Sequence, residues 1–279
     1  MKKTVLILAI ILVSAAQSAL PQEPRAFTKE TRYLHFDSDV MKQERKVLVM
    51  LPKGYDDAPQ TRYPVLYMHD GQSVFVNWRI DELMEPVIAA NQMQPIIVVA
   101  IFNGDSQEAR FSDYTPTSNP RFPKSGNADL YGRMIVEELK PIVDSEFRTA
   151  PDQVNTGIGG TSLGGLVSLY LALKYPNTFG KVAVMSPSVW WDNQMILKEV
   201  KKLNSKAAQK IWLDIGTEEG SMAPTKALRD TLLEKGWKRD LDLKYFEAKG
   251  AEHDEKSFAR RAPEMLKYLF PPKTGVAAK

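Results

Sequence analysis

The chain has 279 residues, 43% of them hydrophobic, which is enough for one large core but short for two full enzymatic domains. Lysine and arginine total 37 against 34 for aspartate and glutamate, so charge gives no reason to expect nucleic acid or an anionic membrane as a partner. There are no cysteines, which excludes disulfides, thiolate metal sites and cysteine nucleophiles.

The first 19 residues have the layout of a secretory signal peptide. A basic start, Lys2-Lys3, precedes the apolar run Thr4–Val13, and small residues follow as far as Ala19. The apolar run is short for a bilayer span, which favours a cleaved leader over an uncleaved anchor or a buried first helix. Cleavage sites that fit the pattern follow Ala16, Ser18 and Ala19. We therefore expect residues 20–279 to form one periplasmic or secreted domain, with no membrane association after cleavage.

Strand and helix patterns alternate along the rest of the chain. The predicted strands are Thr31–Phe36, Glu44–Leu51, Tyr63–Met68, Ile96–Ile101, Val154–Gly159, Lys181–Ser186, Lys210–Gly216 and Leu241–Ala248. The predicted helices are Arg79–Asn91, Ala128–Phe147 (broken or shifted near Pro141), Leu163–Tyr175, Gln194–Leu203, Thr225–Lys235 and Glu255–Phe270. Such alternation predicts an α/β fold with a doubly wound, mostly parallel sheet and helices on both faces. The first two strands should pair antiparallel at a sheet edge, and the long polar connection 102–126 is expected to be functional.

Ser162 is the candidate nucleophile. The segment Gly160-Thr161-Ser162-Leu163-Gly164 fits the G-x-S-x-G pattern and lies between a predicted strand and a predicted helix. In that context the pattern forms the sharp strand-to-helix turn of an α/β-hydrolase, where glycines make room for a strained serine. The backbone N–H of Leu163, at the helix start, would donate to the developing oxyanion. A serine that merely caps the helix is the alternative, which the strand–turn–helix context disfavours.

His253 is the candidate general base. A serine needs a base within hydrogen-bond reach to act at neutral pH, and the chain offers His35, His69 and His253. Only His253 follows Ser162, and it lies between the last predicted strand and the closing helix, where this fold places its histidine. His35 and His69 are interpreted as structural.

The acid that orients the histidine is expected on the loop after strand Lys210–Gly216. That loop carries the adjacent carboxylates Glu218 and Glu219, and only one of them can face the imidazole. Asp214 lies inside the strand and is the weaker candidate. Chain position alone leaves Glu218 and Glu219 open.

A second oxyanion donor is expected just after the third strand. His69-Asp70-Gly71-Gln72 occupies that place, so Gly71 would permit close approach and Gln72 would supply the backbone N–H. A simple tight turn is the alternative.

Aromatic residues near the predicted site suggest substrate contacts. Trp190 and Trp191 follow the strand Lys181–Ser186, and Tyr114 lies in the long polar connection. Such rings can bind a sugar, catechol or phenolic group, although core packing explains them equally well.

Taken together, these motifs resemble a family of α/β-hydrolase esterases that includes feruloyl esterases, enterochelin esterases, S-formylglutathione hydrolases (esterase D) and mycolyltransferases. The resemblance extends from about Val47 to Phe270. It rests on Tyr67-Met68-His69-Asp70-Gly71-Gln72, Asp113-Tyr114-Thr115-Pro116, Glu137-Glu138-Leu139-Lys140-Pro141, Ile158 through Gly165, Ser186-Pro187-Ser188-Val189-Trp190-Trp191 and Gly250-Ala251-Glu252-His253. The resemblance implies Glu219 as the acid and Gln72 as the oxyanion donor. The glutathione-ester hydrolases of the family are cytosolic, so the predicted leader disfavours a glutathione ester.

The sequence therefore predicts a carboxylic ester hydrolase that works through an acyl-enzyme and needs no metal or cofactor. The expected substrate is a small-molecule or carbohydrate-linked ester, such as a siderophore, a feruloyl or acetyl sugar ester or an aryl ester. Acyl transfer to a sugar or alcohol acceptor is one alternative. A catalytically silent, exported binding module is another, against which the complete set of serine, histidine and acid argues.

Overall fold

A mixed eight-stranded sheet lies at the centre of the structure, a computed structural model that describes residues 28, 30–104 and 106–273. The strands are β1 Thr31–Ser38, β2 Gln43–Met50, β3 Val65–Met68, β4 Ile97–Ile101, β5 Thr156–Thr161, β6 Lys181–Met185, β7 Lys210–Gly216 and β8 Leu243–Ala248. Their order across the sheet is β1-β2-β4-β3-β5-β6-β7-β8. The predicted signal peptide, residues 1–19, lies outside the described residues.

The strand directions confirm the predicted sheet. Strand β2 pairs antiparallel with β1 and β4, whereas all pairs from β4 to β8 are parallel. Strand β4 is apolar and buried at every position, as expected of a central strand covered on both faces. At the edge, β1 alternates more exposed and less exposed side chains. Because the carboxyl ends of the parallel strands meet at one edge, the loops that follow β3, β5, β7 and β8 are brought together there.

Helices cover both faces of the sheet, as predicted. They are α1 Gly71–Val76, α2 Ile80–Ala89, α3 Gln107–Tyr114, α4 Ala128–Arg133, α5 Lys140–Glu146, α6 Leu163–Lys174, α7 Trp191–Lys202, α8 Met222–Glu234 and α9 Glu255–Leu269. One apolar core contains side chains of α4, α6, α7 and α8, and a second contains side chains of α1, α2 and α9. Among the described residues, no helix is both long and apolar enough to cross a membrane.

Helix α3 was not predicted within the connection 102–126. It is a mostly polar helix of which only Asp113 and Tyr114 are buried, so the connection has little apolar periodicity. Its start is capped by Ser106, whose side chain accepts a hydrogen bond from Ala109 N. The short helix α1 was missed for a similar reason, since six residues are too few to establish a helical pattern.

The predicted helix Ala128–Phe147 is shifted rather than broken near Pro141. Instead α4 continues through a π-helical turn, Met134–Leu139, into α5, and Pro141 lies near the start of α5. Proline lacks an N–H and crowds the preceding turn, and a wider helical turn before it removes that conflict. The chain therefore stays helical past the proline.

Candidate active site

Ser162 lies on a sharp turn between β5 and α6. Its backbone angles, φ 59° and ψ −121°, are strained for a residue with a side chain. Gly160 and Gly164 make this turn possible. A Cβ atom at Gly160 would lie 3.0 Å from the carbonyl carbon of Gly164, and one at Gly164 would lie 3.3 Å from His69 Cβ. The local geometry is therefore the turn that the G-x-S-x-G pattern predicts.

His253 and Glu219 are directly hydrogen-bonded. His253 Nδ1 lies 2.7 Å from Glu219 Oε2, and the histidine side chain is 45% exposed whereas the glutamate is buried. Glu218, by contrast, is exposed and accepts a hydrogen bond from the side chain of Thr217. Of the two carboxylates that the sequence left open, Glu219 is the one in contact with the imidazole.

Glu219 is held in its ionised form by the groups around it. Burial alone would raise the pKa of its carboxyl, but hydrogen bonds from His253, Ser186 and the backbone N–H of Gly216 outweigh burial and lower that pKa. The donor–acceptor distances to Glu219 Oε1 are 2.6 Å from Ser186 Oγ and 2.8 Å from Gly216 N. Both oxygens of the carboxylate are therefore occupied, one by these donors and one by His253.

Ser162 and His253 line one cavity of about 330 Å³, which we call the Ser162 cavity. Its wall also includes Arg110, Leu163, Ser186, Pro187, Ser188, Trp190, Glu219, Gly220 and Ser221. Ser162 Oγ lies 3.2 Å from Ser188 Oγ, within hydrogen-bond distance. A larger cavity of about 520 Å³ lies elsewhere, near Leu51 and Met84, and its wall contains no serine or histidine. The chemistry of the lining, rather than size, identifies the Ser162 cavity as the candidate active site.

Both predicted oxyanion donors lie in the first turn of a helix. Leu163 begins α6 and Gln72 is the second residue of α1, and the first N–H groups of a helix have no partner within it. Leu163 lines the Ser162 cavity, whereas Gln72 lines a neighbouring cleft of about 380 Å³. Arg110 lines both spaces. The cleft that Gln72 lines therefore shares Arg110 with the Ser162 cavity, but Gln72 itself does not line that cavity.

The loop before Gln72 is fixed by an ion pair that the sequence analysis did not identify. Arg110 donates from Nε to Asp70 Oδ1 at 2.8 Å and from Nη2 to Asp70 Oδ2 at 2.9 Å. Asp70 has a left-handed backbone, φ 54°, and its N–H donates to the Tyr114 hydroxyl at 2.9 Å. These contacts hold Asp70 in the left-handed conformation, which is unfavourable for a residue other than glycine.

Trp190, Trp191 and Tyr114 do not share one role. Trp190 is 48% exposed and lines the Ser162 cavity, which places it where a substrate contact was expected. Trp191 and Tyr114 are fully buried, which corrects the expectation that they contact a substrate directly. Trp191 packs on Phe111 and Phe122 and donates from Nε1 to Thr117 Oγ1 at 3.0 Å. Neither Trp191 nor Tyr114 lines the Ser162 cavity.

The other two histidines lie outside the Ser162 cavity. His69 is buried beneath the Ser162 turn, with Nδ1 2.8 Å from the Tyr131 hydroxyl. Burial, and to a lesser extent the nearby charge of Arg110, lowers the pKa of His69 to about 3, so the ring is neutral. His35 lies on the edge strand β1 beside Glu44.

Comparison with known proteins supports an esterase. The sequence profile of the family described as "Putative esterase" matches residues 38–269. The uncharacterized protein YbbA of Bacillus subtilis is 28% identical over 240 residues, which are 81% of this chain and 92% of that protein. The endo-1,4-beta-xylanase/feruloyl esterase of Xylanibacter ruminicola is 26% identical over 80% of this chain and 29% of its own length. The ferri-bacillibactin esterase BesA of Bacillus subtilis is 28% identical over 56% of this chain and 58% of its own length.

Solved structures agree on the fold. The BES protein from Bacillus cereus superposes with a TM-score of 0.75 at 24% sequence identity, over 90% of this chain and 99% of that one. With a matching profile over most of the sequence and a parallel sheet that carries the serine turn at its carboxyl edge, the chain belongs to the "Putative esterase" family and is a serine esterase of the α/β-hydrolase fold.

Proposed function

We propose that the protein hydrolyses a small-molecule or carbohydrate-linked carboxylic ester through an acyl-enzyme on Ser162. His253 is the general base in this proposal, and Glu219 is the acid that orients it. The contact of 2.7 Å between His253 Nδ1 and Glu219 Oε2 is the observation that supports it most strongly. A carboxylate at Nδ1 favours the tautomer with its proton there, which leaves Nε2 as the base.

The reaction has two steps. In the first, Ser162 Oγ gives its proton to His253 Nε2 and bonds to the ester carbonyl carbon. The resulting oxyanion accepts hydrogen bonds from the N–H groups of Leu163 and Gln72. His253 then returns the proton to the departing alkoxide, so the alcohol leaves and an acyl group remains on Ser162. In the second step His253 Nε2 takes a proton from water as the water oxygen bonds to the acyl carbon. The bond between that carbon and Ser162 Oγ then breaks, His253 returns the proton to Ser162 Oγ, and the acid is released.

Access of water to His253 supports hydrolysis over acyl transfer. The imidazole is 45% exposed, and a transferase must keep water away from the acyl-enzyme while its acceptor binds. The geometry therefore favours water as the second reactant.

Trp190 supports an aromatic or sugar-linked substrate. Its indole is half-exposed on the wall of the Ser162 cavity, where a flat ring or the apolar face of a sugar can pack against it. Two relatives, a xylanase/feruloyl esterase and a ferri-bacillibactin esterase, carry names that are consistent with such substrates. The predicted signal peptide supports a substrate outside the cytoplasm.

A substrate panel with a nucleophile variant tests the proposal. The purified protein and its Ser162→Ala variant are assayed on p-nitrophenyl acetate, a feruloyl ester, acetylated xylan and a catecholate siderophore ester. We expect hydrolysis of at least one ester, with Ser162→Ala slower by about 10⁴-fold or more. A variant that hydrolyses esters as fast as its parent contradicts the role of Ser162.

A fluorophosphonate probe distinguishes the esterase from a silent binding module. We expect the folded protein to be labelled at Ser162, and His253→Ala to slow labelling. Absence of labelling favours the silent module. The alternative of acyl transfer is tested by adding alcohols or sugars to the assay, because a transferase forms new esters in place of the free acid.

A further inference from the structure

A buried ionic cluster lies behind Glu219, on the side away from His253. It consists of Arg261 on α9, Asp214 in β7 and Ser186 directly after β6. The Arg261 side chain is 4% exposed and Asp214 is 0% exposed. Because burying a charge costs several kcal/mol unless it is paired, a cluster at this position requires an explanation.

Arg261 spans two carboxylates. Its Nη1 lies 3.1 Å from Asp214 Oδ1, and its Nη2 lies 3.4 Å from Glu219 Oε1. The Nε of Arg261 donates to the carbonyl of Ser257 at 3.2 Å, which fixes the plane of the guanidinium against its own helix. The arginine is therefore a shared counter-charge at a fixed place between Asp214 and Glu219.

Ser186 connects Arg261 to the oxygen of Glu219 that His253 does not use. Ser186 Oγ accepts from Arg261 Nη2 at 2.9 Å and donates to Glu219 Oε1 at 2.6 Å. A guanidinium can only donate, so the hydroxyl proton of Ser186 must point to Glu219. The backbone of Ser186 is left-handed, φ 41°, and its N–H donates to Asp214 Oδ1 at 3.1 Å. This strained conformation is held by the same cluster.

We propose that Arg261, paired with Asp214, is a positioning residue for Glu219. It sets the direction of the Ser186 hydroxyl, fills Glu219 Oε1, and so leaves Oε2 to His253 Nδ1. The inference rests on the proposed function of Ser162, His253 and Glu219. It also accounts for the charge of the site, because two carboxylates and one guanidinium leave a single negative charge, which the imidazolium formed during turnover neutralises.

The charged groups around Glu219 come from several elements. Arg261 approaches from α9, Asp214 from β7 and His253 from the loop after β8. Arg110 of α3 lines the cavity in front, and the neighbouring Glu218 is exposed to solvent. Burial raises the pKa of Asp214 to about 6, and Arg261 acts in the opposite direction. Without Arg261, Asp214 should therefore take up a proton near neutral pH, while Ser186 loses the donor that directs it.

Substitutions on α9 and at Ser186 test the inference, with p-nitrophenyl acetate as the substrate. Arg261→Met removes the charge, Arg261→Lys keeps it, Ser186→Ala removes only the hydroxyl, and Arg260→Met changes the exposed neighbour on the same helix. We expect Arg261→Met to lower kcat by about 10- to 100-fold, part of what an oriented general base contributes, with KM within about threefold of the parent. Arg261→Lys should recover part of that loss, and Arg260→Met should match the parent.

The dependence of kcat/KM on pH separates positioning from a merely structural role. Ser186→Ala removes a hydrogen bond to the ionised carboxylate of Glu219, and Arg261→Met removes the group that directs this hydrogen bond. Either change should raise the pKa of Glu219, so the acid limb of the profile should move to higher pH. Thermal unfolding of each variant is measured alongside. If Arg261→Met does not fold, Ser186→Ala carries the test.

Each outcome has a distinct meaning. A folded Arg261→Met or Ser186→Ala variant with the kcat and pH profile of the parent overturns the inference, provided that hydrolysis by the parent depends on Ser162. Loss of that dependence on Ser162 overturns the proposed function instead.

Discussion

Glu219 Oε2 lies 2.7 Å from His253 Nδ1, although the two residues stand on different loops. Strands β7 and β8 are parallel neighbours, and Gly216 at the end of one is in register with Ala248 at the end of the other. The loops that follow therefore start side by side at the carboxyl edge of the sheet. Backbone hydrogen bonds between them, from Thr217 N to Ala248 O and from Glu218 N to Ala251 O, fix their relative position.

Glu219→Gln should lower kcat strongly, whereas Glu218→Gln should not. The amide is neutral and cannot stabilise a charged imidazole as a carboxylate does, and the corresponding aspartate-to-asparagine change in a Ser-His-Asp protease costs about 10⁴-fold in kcat. Glu218 is the matched control because it is adjacent, acidic and exposed. Steady-state kinetics on the best ester of the panel measure the difference. Equal losses in both variants would mean that the acid is not Glu219.

Gly71→Ala should impair both folding and catalysis. A Cβ atom at Gly71 would lie 2.5 Å from the carbonyl carbon of Ala100, so the turn that carries Gln72 has to move. We expect a loss of about 1–3 kcal/mol in the free energy of unfolding. If Gln72 donates to the oxyanion, kcat should fall by about 10²-fold.

Gly220→Ala is the control for stability in this experiment. A Cβ atom at Gly220 would have no neighbour within 4 Å, so its unfolding in urea should match that of the parent. A Gly71→Ala variant with unchanged stability and unchanged kcat would show that the loop tolerates the displacement.

The two adjacent tryptophans should respond differently to truncation. Trp190→Ala removes a half-exposed wall of the Ser162 cavity, so we expect a higher KM for aromatic esters and little change in Tm. Trp191→Ala removes a fully buried ring and should destabilise the fold by about 3–5 kcal/mol. KM for a feruloyl and an acetyl ester, together with thermal unfolding, distinguishes them. A Trp190→Ala variant with an unchanged KM for every aromatic ester would exclude this wall from binding.

Asp214 should make the protein less stable as the pH rises from about 4 to about 6. Burial raises its pKa to about 6 in the folded protein, whereas an unfolded chain has a value of about 4. In that window the folded state binds more protons than the unfolded state, so the contribution of Asp214 to the free energy of unfolding falls with rising pH. Asp214→Asn does not titrate. Its stability relative to the parent should therefore increase across the window, on the order of 1.4 kcal/mol per pH unit.

Urea unfolding at several pH values between 4 and 7 measures this difference. Asp39→Asn, at a fully exposed position, controls for the loss of one carboxylate. A difference between Asp214→Asn and the parent that stays constant over the window would contradict the prediction.

The strands and their mostly parallel direction were predictable because the signals for them are local. Apolar runs mark the buried strands, and their alternation with helices predicts a mostly parallel sheet, whereas the order of the strands across the sheet was not predicted. The strained turn at Ser162 was predictable for the same reason, since the spacing of Gly160 and Gly164 is a property of the local sequence. The six-residue helix α1 and the mostly polar helix α3 have no comparable periodic signal.

Other features depend on residues distant in the sequence. Glu218 and Glu219 are chemically identical neighbours, and only contacts from Ser186 and His253 distinguish them. Likewise, Trp190 and Trp191 differ in role because the second packs on aromatic rings from the connection 102–126. Ser186 lies in one of the motifs that the sequence shows. Nothing in the sequence near Arg261, however, indicated that this arginine of the last helix would contact Ser186 and Glu219.

The position of His69 affects which of two imidazoles can take part in proton transfer. Two imidazoles approach the Ser162 turn, one from beneath it and one across the open cavity. The lower ring is sealed from solvent with its Nε2 unpaired among the described residues, so it stays uncharged throughout any physiological pH range. In the proposed mechanism the water-exposed imidazole of His253 accepts the proton during turnover, and His69 is a neutral support on which the glycine turn rests.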